Sequence, residues 1–140
     1  KAKIEEMMIY HLYHLKFKKG KIVAKFMVVD DSKIARRILC ELVVELGHSV
    51  VLEAVSSEEC IEKYDPSKVD CIFMDVEMDG ISGIEATKNL TSKYKDINII
   101  IVSSVSEANR LKEIELSGAK AMVKKPIDVE YLKEAIKKVL

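Results

Sequence analysis

Phe26-Met27-Val28-Val29-Asp30-Asp31, Cys71-Ile72-Phe73-Met74-Asp75 and Ile99-Ile100-Ile101-Val102-Ser103-Ser104 repeat one pattern: four apolar residues that run into acids or hydroxyls. An unbroken apolar run of this length suits a strand buried on both faces, as in a parallel sheet covered by helices. In open sheets of that kind, ligands bind beyond the carboxyl ends of the strands. Acid, acid and hydroxyl are therefore expected to converge at one edge. A fourth apolar stretch, Ala121-Met122-Val123, leads to Lys124, Lys125 and Pro126. The pattern specifies a polar site as well as a fold.

Between these runs the spacing turns helical. Ser32 is a plausible N-cap for a helix that stops at Gly47, with Ile34, Ile38, Leu42 and Leu46 expected along one face. Val50–Val55 reads as a further strand, and Ser56 or Ser57 caps a short helix ended by Asp65-Pro66. Helices are expected over 84–94 and 106–117, and from Asp128 to Leu140. Strands are expected over 23–29, 69–74, 97–102 and 120–123. Five βα units joined by short connections predict a doubly wound parallel sheet flanked by five helices, an α/β domain over residues 23–140.

Residues 1–22 stand apart. Residues 1–25 hold seven Lys and two Glu, so the zero net charge of the chain divides into a basic leader and an acidic domain. An acidic domain argues against a nucleic-acid surface. The leader is a basic extension readable either as a helix (Ile4, Met8, Leu12, Leu15) or as a hairpin arm. It is expected to pack on a protein surface, with association into a homodimer favoured over a linker role. His11 and His14 have metal-compatible spacing but no acid or thiol grouped beside them, so packing or solvent exposure is the better reading. Cys40, Cys60 and Cys71 lack metal spacing and read as reduced thiols. No apolar stretch is long enough to span a membrane, and a cytoplasmic location is expected.

Three carboxylates brought together repel one another. The usual remedies are protonation, a cation or a lysine. Hard oxygen ligands with an open water side suit Mg²⁺. A carboxylate such as Asp75 is also able to attack phosphorus and form an acyl phosphate. A metal, a lysine and a hydroxyl would then neutralise the transferring oxygens. A strand-end Asp taken singly is more often a cap or turn former; the four elements in this order shift the reading to a site.

The motifs VVDDS (28–32), FMD (73–75), MDGISG (78–83), IIIVSS (99–104) and SGAKAMVKKP (117–126) resemble the receiver domain of two-component response regulators, especially the single-domain chemotaxis type. The resemblance implies a flavodoxin-like sheet of order 2-1-3-4-5. It implies that Asp75 accepts a phosphoryl group from a histidine kinase or phosphotransfer protein. Asp30, Asp31, Asp75 and the backbone carbonyl of Glu77 would hold Mg²⁺. Lys125 and Ser103 would contact the phosphoryl group, and Pro126 would follow a cis peptide. Ser104, beside the switch hydroxyl, is small and would leave the site open to donors and water. A downstream protein would bind the face of the fourth helix, fifth strand and fifth helix. Two positions depart from the family pattern: Asp79 stands where Pro is common, and Met122 stands where an aromatic ring usually swings inward.

The implied protein is a switch and not an enzyme. Two other readings compete. One is a receiver-like interaction module that takes no phosphate. The other is a phosphohydrolase with an Asp nucleophile, which typically has a second Asp two residues on; Glu77 holds that offset here.

Overall fold

The structure is a computed structural model that describes residues 23–104 and 108–140. The readings of residues 1–22, including His11 and His14, and of a helix start at 106 lie outside the described residues. The strands are β1 (Lys25–Val29), β2 (Ser49–Ala54), β3 (Cys71–Asp75), β4 (Ile99–Ser103) and β5 (Ala121–Lys124). The helices are α1 (Lys33–Glu45), α2 (Ser57–Lys63), α3 (Gly83–Lys93), α4 (Ala108–Leu116) and α5 (Val129–Val139). All strand pairs are parallel, in the expected order β2-β1-β3-β4-β5. No described helix is long and apolar enough to cross a membrane.

Strand alternation divides the core into two layers. Phe26 and Val28 of β1 face one side with Phe73, Ile100 and Val123, where α1 and α5 supply Leu39, Val43, Leu132 and Ile136. Met27 and Val29 face the other with Ile72, Met74 and Ile101, where Cys60, Ile84, Leu90 and Ile114 come from α2, α3 and α4. The Phe26 and Phe73 rings stack at 4.9 Å. Cys60 and Cys71 are buried and Cys40 half-buried, all three as free thiols. Burial pushes the Cys60 and Cys71 thiols up to about 12, so neither is a thiolate at neutral pH. At the outer edge of the described sheet, Val51 of β2 interrupts the register with β1: Phe26 pairs with Val50 and Met27 with Leu52.

Caps set the helix starts. The Ser32, Ser56 and Ser82 hydroxyls accept from the amides of Ala35, Glu59 and Glu85, and Asp128 accepts from Glu130. Ser56, not Ser57, is therefore the cap of α2.

The expected buried face of α1 needs correction. Ile34 is 73% and Ile38 49% exposed, whereas Leu39 (4%) and Val43 (0%) form its buried face, with Leu42 and Leu46 at the margin. A four-residue repeat drifts around a helix of 3.6 residues per turn, by about 40° each step. The line from Ile34 to Leu46 thus starts in solvent and only later reaches the core. Leu39→Ala is expected to cost about 2–3 kcal/mol through lost burial and the cavity left behind. Ile34→Ala should stay within about 0.5 kcal/mol of the parent. Paired urea titrations check the contrast, and equal losses would refute it.

Candidate functional site

Register brings the polar strand ends together. Val29 pairs with Met74, so Asp30, one residue beyond, lies beside Asp75. Asp75 pairs with Val102, and Ser103 pairs with Lys124, so Ser103 and Lys125 complete the row at the next two strand ends. The Lys125 amide donates to the Ser103 carbonyl at 2.9 Å. Lys124 is exposed. Lys125 instead turns inward: its Nζ donates to Asp30 Oδ2 at 3.1 Å and to Asp75 Oδ1 at 3.0 Å. The Lys125–Pro126 peptide is cis.

Asp30, Asp31 and Asp75 each offer a carboxylate oxygen, and these atoms lie within 4.8 Å of one another. Asp30 and Asp75 are buried and Asp31 is exposed, so the cluster is closed below and open to water above. Hard oxygens, few carboxylates and a water-facing side fit the preferences of Mg²⁺. Besides Lys125, backbone amides reach two of the three acids. The Ser32 amide donates to Asp30 Oδ1 at 2.9 Å, and Arg36 Nη1 donates to the Asp30 carbonyl at 2.9 Å. Arg36 is itself held by Glu53 at 2.9 Å. The Asp79 amide reaches Asp31 Oδ2 at 3.4 Å, a long contact.

Burial pushes the Asp75 carboxyl from 3.8 up to about 6; the Lys125 hydrogen bond opposes this, and the charges of Asp30 and Glu77 add to it. Burial alone would lower the Lys125 ammonium, but its hydrogen bond to Asp75, with the charges of Asp75 and Asp30, leaves it raised. The pairing thus favours both charged forms, and only for Asp75 does loss of water outweigh it. At neutral pH Asp75 is mainly a carboxylate, poorly solvated and held by one ammonium.

The remaining expected residues are arranged around this core. Ser103 is buried. Ser104 is exposed, and its hydroxyl donates to Glu77 Oε1 at 3.1 Å across the rim. Met122 lies further down β5, half-buried against the α2–α4 layer, opposite Ile101.

Arg36 and Gly83 escape a reading by motif. Arg36 sits one helical turn past the acids and looks like any surface arginine of α1. Gly83 starts α3, and a Cβ there would fall 1.9 Å from the Asp75 carbonyl oxygen. Its amide also closes the β3–α3 loop by donating to the Val76 carbonyl at 3.0 Å. The second glycine of MDGISG was the only available signal, and it did not say which contact the glycine permits.

Residues 26–137 match the family model of the response regulator receiver domain, and the chain belongs to that family. It is a chemotaxis-regulator-like receiver domain of two-component signalling. The chemotaxis protein CheY of Thermotoga maritima is 30% identical over 82% of this chain and 96% of its own length. The response regulator TrrA of Thermotoga maritima, solved in complex with Mg²⁺-BeF, is 32% identical with a TM-score of 0.74, covering 84% of this chain and 100% of that one. The CheX-CheY-BeF3-Mg²⁺ complex of Borrelia burgdorferi matches the fold with a TM-score of 0.79 at 24% identity, over 85% of this chain and 90% of that one.

Proposed function

We propose that this receiver is a phosphorylation-dependent switch in which Asp75 takes a phosphoryl group from a histidine kinase or phosphotransfer protein. The observation that carries the reading is the Lys125 ammonium held between Asp30 and Asp75, with a third carboxylate within 4.8 Å. An Asp75 oxygen attacks phosphorus in line with the donor imidazole. The P–O bond forms as the P–N bond breaks, and the leaving nitrogen keeps the electron pair and takes up a proton. Lys125 exchanges its Asp75 contact for a phosphoryl oxygen, and the Ser103 hydroxyl is drawn to the same group. Asp30, Asp31, Asp75 and the Glu77 carbonyl are the residues that would hold Mg²⁺, which when bound supplies neutralising charge at the transferring oxygens.

The acyl phosphate adds nearly two negative charges where one stood. The pull on Ser103 at the end of β4 is the local event, and the face of α4, β5 and α5 reads it out to a downstream protein. A groove of about 240 Å³ lies on that face, lined by Leu111, Ile114, Ala119 and Met122 among others. The exposed rings and chains of Leu116 and Tyr131 lie on the same two helices.

Acetyl phosphate with Mg²⁺ is expected to add a single phosphoryl group, read by intact mass, and EDTA should slow the addition by about tenfold or more. Absence of labelling, or labelling indifferent to EDTA, would sink the reading. Steady release of inorganic phosphate from a phosphomonoester would favour the hydrolase instead.

A further inference from the structure

Ser57 is the first residue of α2, yet it plays no part in capping that helix, because the Ser56 hydroxyl already does so. Its side chain is fully buried, at 0% exposure. The hydroxyl crosses to the loop between β3 and α3, donating to the Ile81 carbonyl at 2.7 Å, with the Ser82 carbonyl also within 3.3 Å. A serine hydroxyl has a single hydrogen, so the shorter contact is the bond and the longer one is at most a share of it.

The loop from Val76 to Ser82 carries Glu77. Among the described residues its backbone closure is the bond from the Gly83 amide to the Val76 carbonyl at its base. On the solvent side its contacts are weak: the Asp79 amide to Asp31 at 3.4 Å and the exposed Ser104–Glu77 pair. Exposed polar contacts add little order. The start of α2 also approaches the loop closely: a Cβ on Gly80, whose φ is +84°, would lie 3.1 Å from Glu58 Oε2. Val76 is buried in the core and Met78 packs against it, so among the described residues the short Ser57 bond is the interior polar hold on this loop, beside that apolar anchoring.

We infer that Ser57 is a positioning residue for the acid cluster: it ties the β3–α3 loop to α2 and so fixes where the Glu77 carbonyl stands relative to Asp30, Asp31 and Asp75. The inference rests on the proposed use of that carbonyl in holding Mg²⁺. Groups that orient a ligand without touching the metal typically change its affinity by 10- to 100-fold when removed.

The test compares the full chain with Ser57→Ala and with Ser57→Thr, which keeps the hydroxyl. Mg²⁺ binding is measured calorimetrically without phosphodonor, and amide hydrogen exchange is measured in EDTA. Ser57→Ala is expected to bind Mg²⁺ about tenfold more weakly and to exchange the amides of 76–82 faster, with the amides of β1 and β3 unchanged. Ser57→Thr should recover most of the affinity. Mg²⁺ affinity within twofold of the parent and unaltered exchange over 76–82 would overturn the inference. So would unfolding of both variants, which would make Ser57 a residue of the whole fold. A parent chain that binds no Mg²⁺ defeats the reading of the site itself, and loop exchange then decides the tether alone.

Discussion

Asp75→Asn protein given acetyl phosphate and Mg²⁺ is expected to gain its phosphoryl group at least on the order of 10²-fold more slowly than the parent, residual labelling coming from neighbouring oxygen nucleophiles. The same substitution should make the metal-free protein more stable at neutral pH, which a merely damaging change would not do. Asp75 is 3% exposed and its carboxyl is pushed up to about 6 from 3.8, so the folded state binds that proton more tightly than the unfolded chain. The stability this contributes is complete below pH 3.8 and is lost as pH rises through about 6. Above that range the fold carries an unwelcome charge, and the amide removes it while leaving an oxygen for Lys125. In EDTA at pH 7 to 8 the variant should gain about 1–3 kcal/mol, and the gain should shrink towards pH 4. Thermal unfolding across that range checks the sign. A variant that labels at the parent rate, or whose advantage grows on acidification, contradicts the assignment.

Gly83→Ala is expected to be the most damaging single-methyl change in the described fold. The new carbon would fall 1.9 Å from the Asp75 carbonyl oxygen, 2.8 Å from its carbon and 3.0 Å from Met74 Cγ. Two of those atoms are backbone of the central strand, so no side chain can swing away to make room. Alanine is otherwise the better helix former by about 1 kcal/mol, and the clash has to exceed that gain. We expect a net loss of about 4 kcal/mol or more, lowering the unfolding midpoint by about 10 °C. Gly47→Ala is the control: its φ of +94° is unfavourable but nothing lies within 4 Å, so about 1 kcal/mol should be lost. A midpoint for Gly83→Ala equal to that of the control would show that α3 can slide outward freely.

These two residues also mark what the sequence made legible. Asp75 was readable because a strand covered on both faces must be apolar, and an acid that ends such a strand marks the sheet edge. The same logic placed Asp30 and Ser103, and the register of neighbouring strands does the rest. Gly83, Ser57 and Arg36 act through contacts between different elements, which packing and not spacing brings together. Ser57 and the Ile81 carbonyl it holds are 24 residues apart. No local period encodes such a pairing. The α1 face failed for a different reason: Ile34 and Ile38 fit an apolar repeat, but only the neighbouring sheet decides which side of a helix is inside, and Leu39 and Val43 won it.

The register break at Val51 has a consequence for how copies of this chain coexist at high concentration. Among the described residues β2 is the sheet's outer strand on that side, and an outer strand offers free amides and carbonyls to any passing chain. The break leaves residues 49–50 and then 52–54 as straight pieces, with the charge of Glu53 inside the second. Stacked fibrils grow from flat, uncharged segments of about six residues, and neither piece reaches that length. Among the described residues this border therefore lacks the flat, uncharged run of about six that such stacking needs, which works against growth through the molecule's own sheet.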